Sequence, residues 1–96
     1  MLIARVVGSA VSTAKDERLT GGKLLVVRPA SPSDELAGDA FVAVDTVGAG
    51  EGELVLVVTG SAARCTARTE GTPTDAAIVG ILDSLEVDGE VTFRKS

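Results

Sequence analysis

The chain is predicted to be mostly β, a small closed or nearly closed barrel of five to six short strands with one short helix. Short runs rich in valine recur along the 96 residues, separated by clusters of glycine, proline, serine and acidic residues, which is the punctuation of strands and turns. Asp88-Gly89 lies between two alternating apolar segments, the strongest short-range signal for a hairpin. A loop of glycine, alanine and glutamate joins two further apolar runs within residues 41–64.

Taken in order, residues 2–13 read as a long first strand with Gly8 in its interior, where a bulge or sharp bend is expected. Ile3, Val7 and Val11 alternate with Leu2, Ala4, Val6 and Ala10, so both faces are largely apolar. Either the strand coils around a barrel and changes environment at Gly8, or its second face meets a neighbouring subunit. Residues 14–22 form a polar connection. Residues 23–28 make a second strand that Pro29 ends. Residues 30–40, with Pro32, Ser33, Asp34, Glu35, Gly38 and Asp39, read as a solvated, mobile loop.

Residues 41–47 and 53–59 give the third and fourth strands, expected to be antiparallel neighbours because their connection is so short. Across residues 60–71 two readings stand: a helical turn capped by Ser61, or a loop of small residues. Thr72-Pro73-Thr74-Asp75 then supplies a capping threonine, a proline at the first helical position and an acid three residues after the cap. These marks predict a helix over 73–82, narrow at Ala76, Ala77 and Gly80 and broader at Ile78, Ile81 and Leu82. Residues 85–87 and 90–93 close the chain as a hairpin. Strands of this number and length with one helix point to a barrel of the oligonucleotide-binding (OB-like) type.

Composition narrows what such a barrel does. A chain of 96 residues is one domain with room for one small core. Phe41 and Phe93 are its only aromatics, and a core of Val, Ala, Leu and Ile buries little area per residue, so association would stabilise it. Net charge is −5, with no cluster of Lys or Arg and no set of aromatics on which bases could stack, so nucleic acid is a poor partner. The longest uninterrupted apolar run, residues 54–58, is far below the roughly 20 residues that span a bilayer, and Arg5 breaks the apolar segment near the start. No membrane role and no signal peptide are expected. Cys65 is alone, which excludes an internal disulfide, and reads as a small buried apolar side chain. Without histidine there is no Cys–His or Ser–His nucleophile pair. Neither a cofactor nor a metal site is expected.

Three readings of the glycine loop compete. Phosphate-binding loops place their glycines between a strand and a helix and, in the P-loop, add Lys followed by Ser or Thr; here a strand follows, no lysine does, and Glu51 and Glu53 add negative charge. Asp45-Thr46-Val47 lacks the glycine of the Asp-Thr-Gly turn in aspartic proteases, so Asp45 reads as an acid that closes a strand before a turn. The remaining reading is close backbone approach: Gly48, Gly50 and Gly52 carry no Cβ and tolerate positive φ.

Several separated segments together resemble one family, the vertex proteins of bacterial microcompartments, the EutN/CcmL pentameric shell proteins. The resemblance starts at Ala4-Arg5-Val6-Val7-Gly8 and passes through Thr13, Lys15, Leu19 and the run Gly22-Lys23-Leu24-Leu25-Val26-Val27-Arg28-Pro29. It is densest from Val42 through Glu53, and continues in Gly60-Ser61-Ala62-Ala63-Arg64 and in Asp75-Ala76-Ala77-Ile78-Val79-Gly80-Ile81-Leu82-Asp83. Two departures stand out: the family often has a second serine where this chain has Ala62, and valine where it has Thr74.

The resemblance implies a homopentamer in the shell of a microcompartment in the bacterial cytoplasm, capping fivefold vertices among hexameric shell proteins and having no catalytic role. It also implies that Gly48, Ala49, Gly50, Glu51, Gly52 and Glu53, with Ser61, Ala62, Ala63 and Arg64, line a pore or a subunit interface. Five copies of Glu51 or Glu53 around an axis would repel, so at least one is expected to point away or to pair with Arg5 or Arg64 of a neighbour. Two other classes compete: a small-barrel module binding a ligand or peptide, and an enzyme using Asp45, Asp75 or Asp83 with a perturbed carboxylate in a pocket.

Overall fold

In the computed structural model, which describes residues 1–11, 23–60, 63 and 75–95, five strands close into a barrel. They are β1 (Leu2–Ala10), β2 (Lys23–Pro29), β3 (Phe41–Asp45), β4 (Leu54–Thr59) and β5 (Ala76–Ile81), in the order β1-β2-β3-β5-β4. Neighbours are antiparallel except β3 and β5, which run parallel. Closure leaves the barrel no open edge, the device by which a small sheet avoids unwanted pairing. β6 (Ser84–Val87) and β7 (Glu90–Arg94) form a separate two-stranded sheet.

The interleaved apolar pattern of the first strand has a simple resolution. Val6 pairs with Val27 but Gly8 pairs with Val26, so Val7 is an extra residue bulged out of β1. A bulge reverses which side chains face inward beyond it. Before it, Ala4 and Val6 point into the core and are buried; after it, Gly8 and Ala10 stand opposite Val26 and Leu24 on the outer face. The strand therefore changes its environment at the expected place.

Inside the barrel, Ala4, Val6, Leu25, Val27, Ala43, Ala49, Val55, Val57, Ala76 and Ile78 form one buried cluster, with Phe41 and Ile81 packed against it. Each fully buried branched side chain contributes roughly 1.5–3 kcal/mol relative to exposure. The interior is filled by small aliphatics, which suits a barrel of only five strands.

Two expectations are corrected. Residues 76–81 are β5, a strand and no helix. Ile78, Val79 and Ile81 are β-branched and favour the extended backbone, and Ala76, Ala77 and Ile78 are all buried, so the alternation that marks a half-buried strand is absent. The Asp75 backbone carbonyl accepts the Gly60 amide at 2.8 Å, joining it to the end of β4. Residues 72–74, which carry the capping pattern, lie outside the described residues, as do the polar connection 14–22 and Cys65.

The second correction concerns β3 and β4, which are not neighbours: β5 lies between them, pairing Val44 with Ala77 on one side and Val58 with Ala77 on the other. The loop after Pro29 is mostly exposed, as expected, and carries its own hydrogen bonds. Ala30 bridges to Leu36, Ser31 Oγ accepts the amides of Ser33 and Glu35, and Asp34 takes φ 62° at the bend.

The hairpin has the geometry its sequence predicts. Asp88 (φ 53°) and Gly89 (φ 80°) both adopt left-handed backbone, as a two-residue turn of the mirror-image type requires. Its strands pack extensively only on each other. Among the described residues, its side-chain ties to the rest of the subunit are a bond from Thr92 Oγ1 to the Pro32 carbonyl at 2.5 Å, a Lys95–Glu53 ion pair, and Arg5 over the Phe93 ring. The molecule is 45 Å long against 23 Å in both other directions.

Candidate functional site

The glycine loop, residues 46–53, leaves β3 and returns to β4, and its shape is set by side chains at its two ends. Asp45, the last residue of β3, is 9% exposed and directs both carboxylate oxygens into the loop. Oδ1 accepts the Val47 amide at 3.0 Å and Oδ2 accepts the Ala49 amide at 2.9 Å. The aspartate thus does the work of a turn-forming residue, satisfying backbone donors that no strand partner reaches. Thr46 Oγ1 donates to the Ile78 carbonyl at 2.7 Å and fixes the exit from β3 against β5.

At the far end, Glu53 plays the matching part. One oxygen accepts the Gly50 amide at 2.6 Å and the other meets Lys95 Nζ at 2.7 Å. These contacts, the Lys95 hydrogen bond first and the Gly50 amide second, hold the Glu53 carboxyl below its ordinary pKa, and the same ion pair raises that of Lys95. Lys23 Nζ donates to the Ala49 carbonyl at 3.0 Å, and Arg5 donates to the Gly52 carbonyl at 2.7 Å while pairing with Asp34. The loop is therefore stapled by four charged side chains of its own chain.

The residues singled out from sequence separate into groups. Gly48 (φ 77°) and Gly52 (φ 88°) take the left-handed backbone that favours glycine, with open space where a Cβ would stand. Gly50 does not; a Cβ there would meet Glu53 Oε1 at 3.3 Å. Ala49 is fully buried in the core cluster, so its side chain belongs to the barrel interior. Glu51 is exposed at the tip. Ala63 is fully buried, while Ser61, Ala62 and Arg64 lie outside the described residues.

Of the two acids expected either to point away from an axis or to pair with Arg5 or Arg64 of a neighbour, Glu53 pairs with Lys95 of its own subunit, and Arg5 pairs with Asp34. Sequence reasoning missed Lys23 and Lys95. Lys23 stands opposite Asp45 in the β2–β3 register, which strand pairing could have revealed; nothing local signals that Lys95 returns to Glu53.

Where the loop meets the hairpin there is a cleft of about 360 Å³ lined by Arg5, Glu51, Glu53, Leu54, Phe93 and Lys95 among others. Glu53 is engaged with Lys95, and among the described residues no group of three or more Cys, Asp or Glu could hold a metal ion. The arrangement offers a shaped backbone surface at residues 48–52 with one exposed acid, suited to contact.

Comparison with known proteins agrees in sequence and in fold. The family described as "Ethanolamine utilisation protein EutN/carboxysome" matches residues 1–83. The chain belongs to the EutN/CcmL family. Among relatives, the carboxysome shell vertex protein CcmL of Thermosynechococcus vestitus is 45% identical over 95 residues, covering 99% of this chain and 96% of its own length. The microcompartment shell vertex protein PduN of Salmonella typhimurium is 50% identical over 90 residues, covering 88% and 98%.

EutN/CcmL structures superpose on the whole molecule. CcmL of Gloeobacter violaceus matches with a TM-score of 0.92 at 39% identity, covering 99% of this chain and 98% of that one. GrpN of Rhodospirillum rubrum, a pentameric microcompartment shell protein, matches with a TM-score of 0.81 at 46% identity, covering 91% and 100%.

Proposed function

We propose that this chain assembles as a cyclic homopentamer that occupies the fivefold vertices of a bacterial microcompartment shell in the cytoplasm, closing a layer tiled by hexameric shell proteins. The observation that carries the reading is the match, over all of its length, of a pentameric shell protein to this subunit. Hexagonal tiles alone make a flat sheet, and closure requires pentagons. The function is then geometric: a wedge-shaped ring supplies curvature, and catalysis belongs to other proteins.

In this reading Gly48, Gly50, Glu51 and Gly52 form a contact surface near the ring axis, with Ala49 anchoring them to the core and Glu53 setting their path. Ser61, Ala62 and Arg64 form a second contact or pore-lining segment, with Ala63, buried in its own subunit, as its anchor. A loop held by its own chain keeps one shape in every copy, and that supports a ring whose interface is made of two different patches on each subunit.

Electron microscopy of shells co-expressed with and without this chain tests the proposal. Closed polyhedra with it, and elongated or open layers without it, are expected; identical closed shells in both preparations would contradict it. Gly50→Leu sharpens the role of the loop. Its backbone is unstrained and a new Cβ would meet the Glu53 carboxylate at 3.3 Å, which a shift of a few tenths of an ångström relieves, so the subunit should fold while the ring is lost. A pentamer unchanged by that substitution would remove the loop from the interface.

A further inference from the structure

Beyond the bulge, the outer face of the barrel is apolar across three strands. Register places Gly8 beside Val26 and Val26 beside Val42, and in the next row Ala10 beside Leu24 and Leu24 beside Val44. Val42 is 46% exposed and the other five are only half-buried. No charged side chain interrupts these two rows. Arg28, two residues beyond Val26 on the same face of β2, is exposed at their end.

The hairpin has the opposite character. Past Thr92, the residues nearest its turn include Glu86, Asp88 and Glu90, three exposed acids with no cation among them, and Val91 is 49% exposed. None of the three acids has an ion-pair partner among the described residues. A two-stranded hairpin is marginal in water unless it lies on another surface. Among the described residues, β6 and β7 make no extensive contact with any barrel strand, so this hairpin is not packed across its own barrel.

We infer that the distal half of the β6–β7 hairpin of one copy docks on the β1–β2–β3 outer face of a second copy, its acids toward Arg28 and its apolar side chains on the valine rows. The inference rests on the ring reading above and adds a further pair of surfaces, away from the glycine loop, that hold the ring together. Charge complementarity selects this occupant: the barrel face presents aliphatic surface with a cation at its end, and the arm presents valine with three acids. An arm and a face that differ are also what a head-to-tail ring needs. Gly8 fits the same purpose. Its backbone is ordinary and a Cβ there would meet only Val26 Cβ at 3.9 Å, so within the subunit a side chain is tolerated; its absence leaves the face flat for close approach.

Native mass spectrometry and sedimentation of purified full-length protein test this. Gly8→Leu fills the face without straining the subunit, and Val42→Asp puts a charge that would be buried in the contact. Each is expected to raise the concentration needed for ring formation about tenfold or more, given the cost of burying an unpaired charge or a clash, with circular dichroism of the barrel unchanged. Glu90→Lys should weaken assembly less, and Arg28→Glu combined with Glu90→Lys should recover part of the loss by restoring opposite charges.

Rings unaffected by Gly8→Leu, Val42→Asp and Glu90→Lys would overturn the inference while leaving the pentamer standing. Intact rings that fail to close shells when the hairpin is altered would overturn it in favour of an arm meeting the neighbouring tile. A wild-type protein that forms no ring would instead overturn the proposed function itself.

Discussion

The glycine loop and the C-terminal hairpin meet at one carboxylate, Glu53, yet they are held in contrasting ways. Residues 46–53 contain three glycines and would be loose as a peptide, but Asp45, Glu53, Lys23 and Arg5 all bond to their backbone. The hairpin has an ideal turn and paired strands, but among the described residues its side-chain ties to the rest of the subunit come from Thr92, Phe93 and Lys95. Local sequence preference and tertiary anchoring are thus separable: the loop has the second without the first, the hairpin the first with little of the second. A region shaped by its own subunit suits a contact that must be identical in every copy, whereas a lightly tied region suits one completed by a partner.

The largest effect should come from breaking the loop at its anchor. Asp45→Ala leaves the Val47 and Ala49 amides without their acceptor, the latter in the core, and is expected to destabilise the chain by about 3 kcal/mol, measured by urea unfolding. A loss below about 1 kcal/mol would mean that water or a shifted loop replaces the carboxylate. Next is Gly52→Ala. The backbone at φ 88° penalises any side chain although the space is open, so about 1–2 kcal/mol is expected. Gly50→Ala, without positive φ, should fall well below that, and equal losses would undo the distinction between the two glycines.

The hairpin variants should cost the barrel less. Thr92→Val removes the bond to the Pro32 carbonyl and is expected to lower stability by about 0.5–1 kcal/mol, with amide exchange faster in β6 and β7 but unchanged in the core strands. Lys95→Met should have the smallest effect on unfolding and the clearest one on titration. The Glu53 carboxyl, held low by Lys95 and the Gly50 amide, should titrate at higher pH in the variant, as followed by carboxyl carbon shifts.

The sign of the wild-type pH dependence follows. The depressed Glu53 contributes stability above its unfolded pKa and loses it as pH falls through the folded value. The raised Lys95 contributes below its unfolded pKa and loses it as pH rises through the folded value. A Glu53 titration indifferent to Lys95→Met would break the link between loop and hairpin.

What could be read from the chain follows the same division. The hairpin, the bulge near Gly8 and the strand-closing part of Asp45 were legible because each is dictated by neighbouring residues: Asp88-Gly89 demands left-handed backbone, and Gly8 interrupts a doubly apolar strand. β5 was not, because residues 76–81 are buried through three consecutive positions and follow a capping-like sequence, so neither alternation nor flanking signals distinguished strand from helix. The parallel insertion of β5 between β3 and β4 was equally hidden, since a short connection usually means a paired neighbour.

At the candidate site, the special backbone of Gly48 and Gly52 was legible from glycine itself. The inward turn of Ala49 and the Glu53–Lys95 bond were not, since both depend on contacts distant in sequence. Family resemblance supplied what neither local pattern nor spacing contains, a membership shared with proteins that work as shell vertices.

The mass of the assembled particle in solution tests the central claim most directly. Light scattering on the purified chain at micromolar concentration in physiological salt should return five times the 9.7 kDa subunit, unchanged on moderate dilution. A particle of one subunit across that range would contradict the account.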